Sequence, residues 1–216
     1  MGGRGPTVNR EARVWRGSEN GRLVLASASP TRARLLRDDG IAFQALAPAV
    51  DEASVKEAMR AAGARGIDAA LTLAELKAAR ISATEPDAFV LGCDQLLDCA
   101  GSWFDKATDR ADAARQLQAL GGRVHELATA ACVMQAGVRL WHHVEQPRLR
   151  MRPLDAALVE AYLDAAGEEA LGCVGAYRLE GLGAQLFDRV EGDCFSILGL
   201  PLLALLGFLR GRGLAP

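Results

Sequence analysis

Leu23-Val24-Leu25-Ala26-Ser27-Ala28-Ser29-Pro30-Thr31-Arg32-Ala33-Arg34-Leu35-Leu36 decides the fold class, because an apolar run passes directly into serine and proline. The run, Leu23 to Ala26, reads as a short strand. A serine N-cap followed by proline at the first helical position then opens a helix, expected to run to about Asp39 and stop at Gly40. A strand-to-helix turn aims free backbone N–H groups and the positive end of a helix at one spot, and such a spot favours phosphate. Arg32 would add a bidentate guanidinium. An ordinary capped helix with solvent-facing arginines uses the same residues, so this segment alone leaves both readings open.

Working outward, Phe43 to Val50 reads as a second strand ending in Asp51 and Glu52, and the Ala-rich stretch from about Asp68 to Ser82 as a helix. Phe89 to Cys93 is a buried strand leading into Asp94 and Gln95. Leu96 to Phe104 is then a hairpin turning at Ala100-Gly101, with Lys106 beyond it. Asp109 caps a helix through Leu120 that stops at Gly121-Gly122, and Val124 to Met134 pairs with Val138 to Met151 around Ala136-Gly137. Asp155 to Ala166 is helical, Gly172 to Gly183 a glycine-rich loop, Ala184 to Val190 a strand, and Leu200 to Leu209 a final helix opened by Pro201. This order predicts an α/β or mixed α+β sheet protein, not a purely parallel doubly wound one.

Composition narrows the function classes. A chain of 216 residues that is 50% hydrophobic can bury a proper core as one domain or as two lobes around a cleft. The net charge of −2 offers no general attraction to nucleic acid or anionic lipid, so phosphate chemistry would need locally placed cations. Of 25 basic residues only Lys56, Lys77 and Lys106 are lysine. That scarcity suggests that a retained lysine is needed as a compact point charge. Five cysteines, with no C-x-x-C pair and an odd count, argue against a disulfide framework and suit a reducing cytoplasm. Residues 1–22 are rich in Gly and Arg, lack the apolar stretch of a secretory signal, and read as a disordered or non-native leader. Ile197 to Leu209 is too short and too interrupted by Gly and Pro to span a bilayer.

Three groups of side chains could carry chemistry. The carboxylates Asp51, Glu52 and Asp94 are each expected where a strand meets a loop, the place where ligands collect in open α/β sheets. Two of them could share Mg²⁺ or activate a water. Strand-end acids that merely keep loops soluble are the commoner case, and Asp94, following a hydrophobic run, is the stronger candidate. Lys77 and Lys106 could neutralise a polyphosphate and its leaving group, or could be surface lysines. The loop Gly175 to Gly183 offers Tyr177 and Glu180 for gripping a base, although such loops are common turns. His142 and His143, adjacent on a strand, point to opposite faces, and His125 reads as a packed or exposed strand residue.

Taken in order, L-A-S-A-S-P-T-R-A-R-L-L, V-D-E (Val50 to Glu52), L-A-E-L-K-A (Leu73 to Ala78), L-G-C-D-Q (Leu91 to Gln95), F-D-K (Phe104 to Lys106), G-R-V-H-E-L-A-T, G-A-Y-R-L-E-G-L-G and V-E-G-D-C-F-S-I-L-G-L-P-L resemble the Maf family of nucleotide pyrophosphatases. The match runs from about Leu23 to Arg210, and several ordered motifs are more specific than any one. The resemblance implies a single domain over residues 23–212 that hydrolyses nucleoside triphosphates to monophosphate and pyrophosphate with Mg²⁺ or Mn²⁺. Asp94 and Glu52 would be the catalytic and metal-holding acids, and Ser27, Arg32, Lys77 and Lys106 the phosphate-binding residues. Glu191 would be a further loop-ordering or active-site acid. The implied partner is the triphosphate substrate, with no nucleic acid or membrane and with a homodimer left open. A rival reading from another class is a nucleotide-binding regulator of septum formation or cell division that senses without turnover.

The chain departs from the usual family pattern at Thr31, Gln95 and Glu180, which therefore look like specificity positions. Gln after the catalytic Asp and Glu before the later Gly are similar to the branch acting on 7-methylguanosine triphosphate, whose base is cationic and suits a carboxylate. That branch tends to carry Trp where Thr31 stands. Asp105 beside Lys106 is expected to weaken the field of that lysine.

Overall fold

The computed structural model describes residues 21–216. Of the expected leader, residues 1–22, the first 20 lie outside the described residues. Arg22 already belongs to the domain, since its carbonyl accepts from Phe89 N at 2.9 Å and its guanidinium donates to Gln44 at 2.9 Å.

The elements follow in the order β1 (Leu23–Ala26), α1 (Pro30–Asp38), β2 (Gln44–Leu46), α2 (Glu52–Ala61), α3 (Gly66–Ser82), β3 (Phe89–Cys99), β4 (Ser102–Phe104), α4 (Arg110–Leu120), β5 (Val124–Gln135), β6 (Val138–Glu145), β7 (Arg148–Met151), α5 (Ala156–Ala166), two 3₁₀ turns (Gly167–Gly172 and Leu182–Leu186), β8 (Phe187–Glu191), α6 (Cys194–Ile197) and α7 (Leu202–Gly211). The strands form one mixed sheet in the order β2-β1-β3-β5-β7-β8, with β4 paired to β3 and β6 to β5. β1 is parallel to β2 and β3, and the pairs β3–β5, β5–β6, β5–β7 and β7–β8 are antiparallel. The expected mixed architecture is what the chain adopts.

Alternation along the central strands sends side chains into two apolar layers. Leu23, Leu25, Leu91 and Cys93 pack with Leu35 and Leu36 of α1 and with Leu202, Leu205 and Leu209 of α7. Val24, Ala26 and Val90 face the other way, onto Ala70, Ala74 and Ala78 of α3. A third cluster gathers Leu117 and Leu120 of α4, Val159 and Leu163 of α5, Leu127, Leu149 and Met151 around the far half of β5. α3 lies unusually close to the sheet. A Cβ on Gly92 would sit 2.1 Å from the Ala74 carbonyl oxygen, so only glycine lets this helix seat.

Several boundaries differ from expectation. β3 does not end at Cys93 but continues to Cys99, so Asp94 and Gln95 stand in mid-strand rather than where a strand meets a loop. The second strand shrinks to Gln44–Leu46, and Asp51 and Glu52 open a helix instead. Asp51 is its N-cap, accepting from Ser54 N at 3.1 Å, which is the ordinary use of aspartate before a helix. Both hairpins turn where expected, on Ala100-Gly101 and Ala136-Gly137, all four residues at positive φ. The expected single strand Val138 to Met151 is split at Gln146-Pro147 into β6 and β7, because proline has no N–H for the ladder. The last strand begins at Phe187 rather than Ala184, and the short helix α6, capped by Asp193, precedes α7.

Candidate active site

A cleft of about 550 Å³ opens between the α1–β1–α3 side of the molecule and the loops around Lys106 and Gly172–Glu180. It is lined by Ser27, Thr31, Arg32, Glu52, Lys77, Asp94, Gln95, Lys106 and Glu180, so these nine side chains singled out from the sequence border one cavity, while the candidate acids Asp51 and Glu191 do not. These come from segments far apart in the chain and only the fold brings them together.

At its floor is a buried ion pair joined by a partly exposed third charge, Glu52. Asp94 on β3 and Lys77 on α3 face each other because β3 turns its even-numbered residues toward that helix. Lys77 Nζ donates to Asp94 Oδ1 at 2.5 Å, both side chains being almost fully buried, and also reaches Glu52 Oε1 at 2.8 Å. Burial raises the Asp94 carboxyl above the ordinary value, while the charges of Lys77 and Arg32 pull it back. Asp94 Oδ2 is buried with no hydrogen-bond partner. A carboxylate oxygen in that state is expensive unless something in the cleft completes it.

Above this floor sits the β1–α1 turn. Ser29 caps α1, and Ser27 Oγ accepts from Ser29 N at 3.2 Å, so the positive helix end faces the cavity. Arg32 is buried, not solvent-facing. Its Nε donates to Gly199 O at 2.8 Å, and Nη1 to Cys93 O at 3.0 Å and to Ser27 Oγ at 3.3 Å. It therefore ties the turn, β3 and the loop before α7 together, besides adding positive potential.

Gln95 points to the opposite face of β3 from Asp94 and is committed there. Its Nε2 donates to Thr129 Oγ1 at 2.9 Å and to the carbonyls of Ser196 at 2.9 Å and Ile197 at 3.0 Å. Carbonyls only accept, so the amide nitrogen must face inward, leaving the oxygen beside Gly199. Glu180 stands at the wall, 3.2 Å from both Arg34 and Arg178, so its charge is already shared by two guanidinium groups.

Three expectations gain detail from this geometry. Tyr177 borders the cleft but is a buried core residue, and its hydroxyl is 2.8 Å from His125 Nε2. Ala176 at φ 58 next to Gly175 at φ 75 is what turns this loop inward. Glu191 lies on β8, pairs with Arg189 at 2.5 Å and is outside the cleft lining. Asp105, expected to weaken the field of Lys106, has its carboxylate 2.5 Å from Lys56 Nζ. Lys56 is the cleft residue that sequence reasoning passed over. Lysine scarcity flagged it equally, but with α2 unrecognised it had no position.

Among the described residues no group of three or more His, Cys, Asp or Glu side chains could hold a metal ion. The two carboxylates that share Lys77 can fit one only if phosphate and water complete its shell, which is the manner of Mg²⁺. The orphaned Asp94 Oδ2 is consistent with that fit.

Comparison with known proteins agrees with the geometry. A protein named nucleoside triphosphate pyrophosphatase from Granulibacter bethesdensis is 53% identical over 88% of this chain and 96% of its own length. One of the same name from Paramagnetospirillum magneticum is 52% identical over 88% and 98%. A protein named 7-methyl-GTP pyrophosphatase from Rhizobium johnstonii is 46% identical over 89% and 96%. Residues 22–212 match the family described as Maf-like protein, and with relatives this similar along nearly their whole length the chain belongs to the Maf family.

Proposed function

We propose that this chain hydrolyses a nucleoside triphosphate to the nucleoside monophosphate and pyrophosphate. The observation that carries the reading is the Asp94–Lys77–Glu52 cluster, with its unpartnered carboxylate oxygen, at the floor of a cleft that also receives a helix N-terminus and all three lysines. The names of its relatives support the same reaction.

The triphosphate lies against the α1 N-terminus, Ser27, Arg32 and Lys106, whose dipoles and charges offset its own. Asp94 Oδ2 orients a water and accepts its proton. Burial makes this carboxylate a stronger base than an exposed one. The water oxygen bonds to the α phosphorus, the anhydride P–O bond breaks, and its electron pair leaves on pyrophosphate. Lys77 holds Asp94 in place and keeps it from standing as an isolated buried charge. Glu52 and Asp94 would hold a divalent cation such as Mg²⁺ or Mn²⁺, which supplies charge neutralisation on the phosphates when bound.

Thr31, Gln95 and Glu180 are assigned to substrate choice, Gln95 by positioning the loop that carries Gly199 rather than by free reach. The unpaired cysteines suit a reducing cytoplasm, and among the described residues no helix is long and apolar enough to cross a membrane. The deciding experiment is pyrophosphate release from common and methylated triphosphates with and without Mg²⁺ or Mn²⁺. Turnover of at least one is expected, whereas tight binding of nucleotide with no turnover of any would leave the regulator reading.

A further inference from the structure

We propose that Lys56 is a phosphate-binding residue delivered by α2, and that it exchanges its partner Asp105 for a phosphate oxygen of the substrate. This rests on the reading of the cleft as a triphosphate site.

Four observations carry it. First, the chain has only three lysines, and Lys56, Lys77 and Lys106 all border the cleft although they lie on three different segments. Surface lysines scattered for solubility would not converge in this way.

Second, α2 has no fully buried residue, yet it presents a consistent inner face. Glu52, Val55, Lys56 and Met59 are its half-buried positions, which is the i, i+3, i+4, i+7 stripe a helix normally gives to its core. Half of that stripe is charged, and one of the two charges is Glu52, already part of the floor cluster. Met59 packs on the core layer of α3, whereas Glu52 and Lys56 of the same stripe line the cleft.

Third, the two lysine pairs of the site differ in how easily they can open. Lys77 and Asp94 have side-chain exposures of 7% and 5%, so separating them would strand a charge out of water. Lys56 is 14% exposed but Asp105 is 60% exposed. Released, Asp105 is rehydrated at little cost because its own side chain is mostly exposed. A triphosphate entering the cleft brings several negative charges against the single one on Asp105, and its oxygens can replace that carboxylate as acceptor for the Lys56 ammonium.

Fourth, two of the other cations are partly committed. Arg32 spends Nε and Nη1 on Gly199, Cys93 and Ser27, and Lys77 is shared by two carboxylates. A polyphosphate needs charge that can move to it, and Lys56 on a lightly seated helix can supply it.

The test compares Lys56→Gln, Asp105→Asn, the double variant and Lys56→Arg in steady-state pyrophosphate release, with inhibition by added pyrophosphate measured alongside. Loss of one charged hydrogen bond to substrate is expected to raise KM about tenfold in Lys56→Gln while kcat changes less than about threefold. Asp105→Asn, which frees the lysine, is expected to lower KM, the double variant to follow Lys56→Gln, and Lys56→Arg to recover most of the loss. If the pair were only a latch, Lys56→Gln and Asp105→Asn would shift KM equally and in the same direction. That result, or an unchanged KM in Lys56→Gln, overturns the proposal. A wild-type chain with no turnover would instead defeat the parent reading, and calorimetry with pyrophosphate on the same variants would still decide the role of Lys56.

Discussion

At the scale of single residues, the site turns on one carboxylate with one oxygen held by a lysine and the other left without a protein partner. Asp94→Asn keeps the shape but removes the base, so kcat is expected to fall about 10²- to 10⁴-fold while nucleotide affinity persists. Single-turnover pyrophosphate release and calorimetry on the variant check this, and turnover like the wild type would remove Asp94 from the reaction. Glu180 presents a different balance. Its charge is shared by Arg34 and Arg178, yet it is an acid at the cleft wall. Replacing it with glutamine is expected to lower the preference for 7-methyl-GTP over GTP about tenfold, the effect of one weakened ion pair. An unchanged ratio of kcat/KM values would exclude it from base selection.

At the scale of elements, the arrangement depends on how closely α3 approaches β3. Gly92 is where helix backbone and strand meet, with a Cβ there placed 2.1 Å from Ala74 O and 2.8 Å from the Ala78 side chain. Gly92→Ala must push α3 outward, carrying Lys77 away from Asp94. The expected cost is about 3 kcal/mol, the upper end of overpacking, read as a lower urea midpoint together with reduced turnover. A midpoint within experimental error of wild type would contradict the close packing. On the other face of the sheet, buried Thr129 links Gln95 and the α6 segment, its Oγ1 accepting from Gln95 at 2.9 Å and donating to Ser196 O at 2.9 Å. That network is why the loop bearing Gly199 stands where Arg32 can bind it.

At the scale of the whole molecule, two buried groups give stability opposite dependences on pH. His125 is lowered from 6.5 to about 4 by burial, so unfolded chains take up a proton that folded ones refuse. Its contribution is complete above 6.5 and is lost as pH falls toward about 4, roughly 3 kcal/mol over that window. Asp94 runs the other way. Its carboxyl is raised by burial, so its contribution is full below 3.8 and is lost as pH rises through the folded value. Urea midpoints for wild type and His125→Gln between pH 7 and 4.5 should separate the terms: the variant is expected to lose most of the decline, and an identical slope would show that His125 is not the group titrating.

The sequence by itself determined the parts set by local chemistry. The strand-serine-proline turn, the Asp109 cap and both Ala-Gly hairpins lie where the residue types put them, because a cap or a positive-φ turn depends on a few neighbouring residues. The site residues were legible as well, since a scarce lysine or an acid after an apolar run stands out in one dimension. Only the tertiary structure decided what each of them faces. Asp94 and Gln95 looked like a strand end because polar residues usually mark one, yet β3 runs on to Cys99 since Lys77 answers the first and Ser196 the second across long loops. Tyr177 looked available for a base and is spent on His125. Lys56 stood out as a scarce lysine but had no place in the site until α2 laid it in the cleft beside Asp105. Partners distant in sequence leave no local trace, and burial, which sets both charge and reach, exists only once the sheet has brought them together.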